Sequence, residues 1–101
     1  MGNWSTTKTL TGHTGGVSSL AYRYFWPTSY FISGSLDKTI RVWNVSNGTT
    51  IKILTGHTGG VTSLFFYSFY SFQLNKPFNV LISGSTDATI RIWDFEQGEC
   101  N

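Results

Sequence analysis

The sequence predicts an all-β protein built from two similar units placed one after the other. Two segments recur in order: LTGHTGGV at Leu10–Val17 returns at Leu54–Val61, and GSLDKTIRVWNV at Gly34–Val45 returns as GSTDATIRIWDF at Gly84–Phe95. Recurrence at a distance of about 20–50 residues is typical of repeat proteins, in which each unit is one supersecondary element. Short runs of β-branched and aromatic residues, bounded by turn residues, fill each unit and indicate strands.

Composition limits the classes of partner and compartment. The chain has 101 residues, 40% of them hydrophobic, which is enough for the core of one small domain. Its net charge of +2 is spread along the chain without a Lys/Arg run, so we expect no nucleic-acid partner. Cys100 is the only cysteine, which excludes an internal disulfide and fits an intracellular protein of the cytoplasm or nucleus.

Predicted strands fall at corresponding places in the two units. In the first unit we expect an outer strand followed by three more, at Ser5–Leu10, Val17–Tyr22, Tyr30–Ser33 and Thr39–Val45. The second unit repeats this order at Thr49–Leu54, Val61–Phe66, Val80–Ser83 and Thr89–Phe95. Thr7 and Thr9 stand where the second unit has Ile51 and Ile53, so the first outer strand is expected at a more exposed edge.

Turn chemistry and side-chain pattern refine the last two strands of each unit. Asp37 and Asp87 lie in SLDK and STDA, where an Asp side chain can bond its own backbone in a tight turn and join two strands as a hairpin. In the strand after Asp37, bulky residues occupy both faces, with Val42 on one and Trp43 on the other. Such a strand is expected to be packed on both sides, as in stacked sheets.

Spacing defines the domain organisation. The interval from Val61 to Gly84 is six residues longer than the interval from Val17 to Gly34, which predicts an insertion near residues 66–79. We therefore divide the chain into a first repeat at residues 5–48, a second repeat at 49–95 and a tail at 96–101. All of residues 1–101 belong to one partial repeat domain.

The recurring residues resemble the WD-repeat pattern. In the first copy they are Gly12-His13, Ser33-Gly34-Ser35, Asp37 and Trp43-Asn44, and in the second Gly56-His57, Ser83-Gly84-Ser85, Asp87 and Trp93-Asp94. The first copy departs from the pattern in ending with Trp-Asn. The resemblance, which runs from about Ser5 to Phe95, implies two four-stranded antiparallel blades of a β-propeller. Propellers contain about four to eight blades, so the propeller is incomplete as a single chain.

The resemblance also implies a hydrogen-bonded set inside each blade. The expected members are His13, Ser33, Asp37 and Trp43 in the first, and His57, Ser83, Asp87 and Trp93 in the second. Ser35 and Ser85 remain alternatives to Ser33 and Ser83, because residues two apart on a strand share a face. The eight-residue segment LTGHTGGV would then recur because every blade needs its own histidine to link its loops.

Ser, His and Asp together also occur in hydrolase triads. A nucleophilic serine is often carried on a G-x-S-x-G elbow, which this chain lacks. A set that appears once per repeat is better explained by satisfied buried polar groups than by one active site. Neither His has a second His or Cys at ligand spacing. We therefore expect no catalytic residues, no metal and no cofactor.

The resemblance implies a non-catalytic scaffold that binds protein or peptide partners on its loop faces. The candidate partner-binding loop residues are Thr14, Leu36, Lys38, Thr58 and Thr86. The alternative is a regulatory or targeting part of a larger multidomain protein or enzyme. Because the propeller is incomplete, we expect a further partner to complete it. This partner is either another propeller segment or further copies of this chain, three or four in all, associating head to tail.

The aromatic run from Phe65 to Phe78 has two interpretations. It is either a lengthened strand and loop packed on the blade edge, or a docking patch made of Phe69, Tyr70, Phe72 and Phe78. No apolar stretch approaches the roughly 18–20 residues that span a bilayer, so no membrane is expected. The N-terminus also matches the N-myristoylation pattern at Gly2, but the match is weak and does not change this expectation.

Overall fold

The computed structural model describes residues 5–25 and 28–95, which form two antiparallel sheets. The first sheet contains β1 (Val17–Phe25), β2 (Thr28–Ser35), β3 (Ile40–Asn44) and β4 (Thr50–Leu54). The second contains β5 (Val61–Ser71), β6 (Lys76–Ser85) and β7 (Ile90–Asp94). Neighbouring strands in each sheet are consecutive in the chain, so every connection is local. The predicted all-β fold is confirmed.

The turns after β2 and β6 follow from their Asp residues. The backbone N–H of Thr39 donates to Asp37 Oδ1 at 2.9 Å, and that of Thr89 donates to Asp87 Oδ1 at the same distance. This bond reverses the chain within four residues and requires a left-handed conformation at Lys38, whose φ is 77°. The hairpins predicted at these positions are therefore closed by the Asp side chains.

One apolar core joins the two sheets. Ile32, Ile40 and Val42 line the inner face of the first sheet and pack with Val61 and Leu81 on the inner face of the second. Full burial of one such aliphatic side chain stabilises the fold by roughly 1.5–3 kcal/mol, so this shared core holds the sheets together.

The two sheets approach each other closely at Gly34. A Cβ at this position would lie 2.6 Å from Val61 Cγ1 and 2.6 Å from Ser19 Oγ. Glycine is needed here because the neighbouring side chain fills the space that any Cβ would occupy. The motif glycine therefore serves the packing of one sheet on the next.

The predicted strand at Ser5–Leu10 is wrong, because these residues form no strand. The edge of β3, where the first repeat would place its outer strand, is already paired with β4, which comes from the second repeat. Residues 5–10 instead lie beside the β3–β4 turn, where Lys8 Nζ donates to the carbonyls of Val45 and Ser46. The second sheet accordingly has three strands in the described part of the chain, and the outer edge of β7 has no partner strand there.

The longer second hairpin lies where the insertion is predicted. β5 and β6 have 11 and 10 residues, against 9 and 8 in β1 and β2, and they remain paired from Val61 to Ser71. Residues 72–75 form the turn. Four of the six additional residues therefore lengthen the two paired strands. Gly2, Cys100 and the tail at 96–101 lie outside the described residues.

Candidate functional site

A chain of hydrogen bonds links three elements of the first sheet. His13, in the loop before β1, places Nδ1 2.8 Å from Asp37 Oδ2 and Nε2 2.7 Å from Ser33 Oγ. Trp43 Nε1 on β3 donates to the same Ser33 Oγ at 2.8 Å. The set, called the blade clasp below, ties the loop before β1 to β2, to β3 and to the turn between them.

The second sheet repeats the blade clasp. His57 lies 2.9 Å from Asp87 Oδ2 and 2.7 Å from Ser83 Oγ, and Trp93 Nε1 donates to Ser83 Oγ at 2.9 Å. Corresponding distances differ by no more than 0.1 Å between the two sheets. The structure thus brings together all eight side chains of the expected sets, four in each sheet.

The choice between the two serines of each Ser-Gly-Ser follows from their partners. Ser33 and Ser83 contact the His and Trp side chains. Ser35 Oγ instead accepts the backbone N–H of Asp37 at 3.0 Å, and Ser85 Oγ accepts that of Asp87 at 3.0 Å. The second serine of each motif therefore supports the turn, and the first belongs to the blade clasp.

Hydrogen bonds keep both Asp carboxyl groups ionised. Partial burial raises the pKa of Asp37, but bonds from the Thr39 hydroxyl, His13 and the backbone N–H groups of Thr39 and Thr14 outweigh it and hold the pKa well below its usual range. For Asp87 the Thr89 hydroxyl is the largest cause of a similarly lowered pKa, with burial opposing it. Each carboxylate is therefore an acceptor at neutral pH.

An ionised carboxylate fixes the direction of the other bonds. Because Asp37 only accepts, His13 donates to it through Nδ1–H. In the imidazole tautomer that carries its only hydrogen on Nδ1, Nε2 is an acceptor, and the Ser33 hydroxyl, whose oxygen accepts the Trp43 N–H, donates to it. Every polar group of the blade clasp is then partnered. This is the arrangement expected of a buried structural network.

Two further residue pairs belong to the site but are missing from the predicted sets. Thr39 and Thr89 each donate a hydroxyl hydrogen to the Asp two positions before them. Arg41 and Arg91 each donate through Nη2 to the carbonyl of the Gly before the His, at 3.1 and 3.0 Å. The signal for both pairs was present in the sequence, because Thr and Arg recur at the same places in both repeats.

The geometry does not favour nucleophilic catalysis. Ser33 and Ser83 are buried, and each Oγ already accepts a Trp N–H. A nucleophile needs an accessible Oγ beside a site for the reacting carbonyl. Within residues 5–25 and 28–95, no three His, Cys, Asp or Glu side chains come together as a metal site. The same residues contain no helix able to cross a bilayer.

The blade clasps position four loops at one end of the two sheets. A Cβ at Gly15 would lie 2.8 Å from the backbone N of Asp37, and one at Gly60 would lie 3.1 Å from Leu36 Cα, so neighbouring loops touch. The Thr14 N–H also donates to Asp37 Oδ2 at 3.0 Å. We call this end the loop face. Its exposed side chains include Thr14, Leu36, Lys38, Thr58 and Thr86.

The aromatic run does not form a single patch. Phe69 and Phe78 are cross-strand partners on one side of the β5–β6 hairpin, with ring centroids 5.3 Å apart. Tyr70 lies on the other side, where its ring contacts Phe72 at 5.0 Å. Phe69, Tyr70 and Phe72 are exposed and Phe78 is half-buried. These four residues therefore contribute surface on both sides of the hairpin, whereas Phe66 of the same run packs against the core.

Comparisons with known proteins agree with this geometry. The family model "WD domain, G-beta repeat" matches residues 4–44 and 48–94. Protein transport protein SEC13 of Phaeosphaeria nodorum is 44% identical over 50 residues, which cover 46% of this chain and 16% of that protein. This chain therefore spans only a small part of that relative's length.

Solved structures give the same fold. The computationally designed Ika4 protein matches with a TM-score of 0.65 and 28% identity over 91% of this chain and 49% of its own. The designed Ika8 protein matches with the same TM-score, identity and coverage of this chain, but over 24% of its own.

The predicted family resemblance is thus confirmed over nearly the whole described chain. Family and relative together support a general role as a protein-interaction scaffold module. Two sheets with matching blade clasps, two matched repeats and the similar structures lead to one conclusion. The chain is a member of the WD-repeat family.

Proposed function

We propose that this chain is a non-catalytic scaffold segment that binds protein or peptide partners through the loop face. The observation that supports this most strongly is the contrast between the loops and what holds them. Thr14 and Lys38 are exposed, while the blade clasp beneath them combines the buried Ser33 and Trp43 with the half-buried His13 and Asp37 in one hydrogen-bonded set. A site on a rigid support loses little conformational entropy when it binds.

The chemistry of the loop face favours a polypeptide partner. It combines threonine hydroxyls, one apolar side chain at Leu36 and one cation at Lys38. The net charge of +2 is too small and too dispersed for a phosphate backbone to be favoured. We propose the same intracellular setting, cytoplasm or nucleus, that the single cysteine favours.

Paired charge-reversal variants test this function. Lys38→Glu alters the loop face, and Lys52→Glu makes the same change on exposed β4, away from the loop face. Tagged wild-type and variant chains are used to recover partners from the native cell. The proposal expects partners common to wild type and Lys52→Glu that Lys38→Glu loses. An identical set with all three chains contradicts it.

The second candidate function is regulation or targeting. In this case the chain would be a segment of a larger multidomain protein or enzyme whose catalytic domain lies elsewhere in its sequence. The match covers only 16% of the SEC13 relative, which favours a segment of a larger protein. Sequencing the complete transcript around this chain tests it. An adjoining open reading frame with its own catalytic motif supports the segment role, and a transcript coding for propeller repeats alone argues for the scaffold.

The two open sheet faces supply a further class of partner. Another propeller segment, including a further copy of this chain, has the shape to cover them. The docking patch predicted in the aromatic run stays a proposal, now divided between Phe69 with Phe78 on one side of the hairpin and Tyr70 with Phe72 on the other.

A further inference from the structure

Each sheet has an inner face, packed on the other sheet, and an open face. The open face of the first sheet carries Val17, Leu20, Tyr22 and Phe31. The open face of the second sheet carries Phe65, Tyr67, Ile90 and Ile92. Each of these apolar open faces corresponds, through the repeat, to one of the two inner faces.

Val61 and its repeat equivalent Val17 differ in burial. Val61 is 0% exposed because it packs over Gly34 of the first sheet, whereas Val17 is 55% exposed. The position corresponding to Gly34 is Gly84, where a Cβ would meet only Ser63 Oγ in the described chain. The second sheet therefore has space over Gly84 for a valine side chain, and the first sheet has an exposed valine, Val17, at the position equivalent to Val61.

The aliphatic residues of β3 and of its repeat equivalent β7 also differ in burial. Ile40 and Val42 are 1% and 0% exposed on the inner face of the first sheet. Their equivalents Ile90 and Ile92 are 74% and 71% exposed on the open face of the second. Two aliphatic residues at these positions are core in one repeat and surface in the other. The sequence thus specifies a face that this chain alone does not cover.

Polar groups at the edge of the interface repeat as well. Ser18 Oγ lies 3.3 Å from the Gly34 carbonyl and also donates to the Val61 carbonyl of the other sheet. Its equivalent, Thr62 Oγ1, lies 3.3 Å from the Gly84 carbonyl. Thr62 is therefore positioned to donate to the Val17 carbonyl of a further sheet.

The outer edge of β7, which has no partner strand among residues 5–25 and 28–95, has a segment of the sequence that corresponds to its missing partner. β4 (Thr50–Leu54) pairs with β3, and Arg41 Nη1 donates to Thr50 Oγ1 at 3.0 Å. The equivalent of β4 is Thr6–Leu10, which forms no strand here, and the equivalent of Arg41 is Arg91 beside the open edge. The register of β3 with β4 would pair Ile90 with Leu10 of another copy.

We propose that the open face of the second sheet of one copy packs on the open face of the first sheet of another, head to tail. The occupant is a second copy because the chain already contains this interface once, between its own sheets. Val17, Ile82 and Ile90 are identical to their buried equivalents Val61, Ile32 and Ile40, and Leu20 is identical to the partly buried Leu64. The contact is heterologous, so it propagates until a ring closes. Three or four copies supply six or eight blades, within the range of propellers.

This inference deepens the proposed partner role of the sheet faces and rests on it. An apolar groove of about 400 Å³ on the open face of the first sheet, lined in part by Val17, Leu20 and Phe31, is the place for Ile90 and Ile92 of the next copy. The match is not uniform. Phe65 stands where the inner face of the first sheet has Ala21, so the contact between copies has a bulkier aromatic side chain there.

A mixing experiment tests the proposal with full-length chains. Val17→Glu blocks the open face of the first sheet, and Ile92→Glu blocks that of the second. Both side chains are exposed in the single chain, so neither substitution removes a contact of its core. Leu74→Glu, in the exposed β5–β6 turn, is the matched control. Mass is measured by light scattering after size exclusion, with far-UV circular dichroism as the check on folding.

The proposal expects wild type and Leu74→Glu at three or four times the 11.3 kDa chain mass. Each blocked variant alone is expected at the single-chain mass. Their equimolar mixture is expected at twice that mass, because one intact pair of faces remains. A monomeric wild type, a blocked variant with the wild-type mass, or a mixture that stays monomeric would overturn it.

A second measurement does not depend on the variants folding. A photo-crosslinker at Ile92 in the otherwise wild-type chain is expected to attach to residues around Val17 and Leu20 of another copy. Attachment within one copy, or to another surface, contradicts the proposal. Lys38→Glu is expected to keep the wild-type mass, so a failure of loop-face binding and a failure of assembly are distinguishable.

Discussion

Ser33→Ala removes the central atom of the first blade clasp. Ser33 Oγ accepts Trp43 Nε1–H at 2.8 Å and contacts His13 Nε2 at 2.7 Å. Without it, a buried indole N–H and an imidazole nitrogen lose their partner. Each unsatisfied buried group costs about 1–3 kcal/mol, and His13 borders the groove, where water can partly replace the hydroxyl. We expect a loss of about 2–4 kcal/mol in the free energy of unfolding.

Urea unfolding followed by far-UV circular dichroism measures this loss, with all chains at the same concentration because association adds to apparent stability. Ser68→Ala, which removes an exposed hydroxyl on β5, is the control and is expected within about 0.5 kcal/mol of wild type. A Ser33→Ala chain as stable as the control would refute the blade clasp as a stabilising network.

Three further predictions concern single residues or pairs. Because hydrogen bonds lower the pKa of Asp37 and Asp87 in the fold, their contribution to stability is present above the ordinary value of 3.8 and is lost as the pH falls below it. The urea midpoint should therefore drop more between pH 6 and pH 3 in wild type than in the Asp37→Asn/Asp87→Asn double variant, and equal drops would contradict this. Ala88 has a φ of 69°, so Ala88→Gly should raise the free energy of unfolding by about 0.5–1 kcal/mol, whereas Ala21→Gly within β1 should lower it, both by the same assay. Gly34→Ala should cost about 1–3 kcal/mol because its Cβ would overlap Val61, and a neutral result would show that the sheets are not packed as described.

Local chemistry made most of the fold predictable. The Asp37 and Asp87 turns depend on bonds within two residues, and the strand cores at Val17–Tyr22 and Val61–Phe66 depend on composition, so both follow from short stretches of sequence. The members of the blade clasp came from the family resemblance. Its geometry added Thr39 and its repeat equivalent, which the motif does not single out.

Features that depend on distant partners were harder to predict. The segment Ser5–Leu10 has a strand-like composition, but whether it pairs depends on a free edge elsewhere, and β4 takes the edge of β3. The sequence favoured a packed strand and loop for the aromatic residues of the long hairpin, but Phe69, Tyr70 and Phe72 are exposed, because their burial depends on what covers the second sheet. Both uncertainties have one physical origin, since the sequence gives strands their propensity but not their neighbours.

Hydrogen exchange at the indole Nε1–H groups of Trp43 and Trp93, followed by NMR, tests the central claim most directly. The claim is that each repeat is a blade closed by its own clasp. Both indole hydrogens donate to a buried serine, so both should exchange far more slowly than free indole. Ser33→Ala should accelerate exchange at Trp43 while Trp93 stays protected. Exchange at the free-indole rate in the wild-type chain, at either residue, would contradict the account.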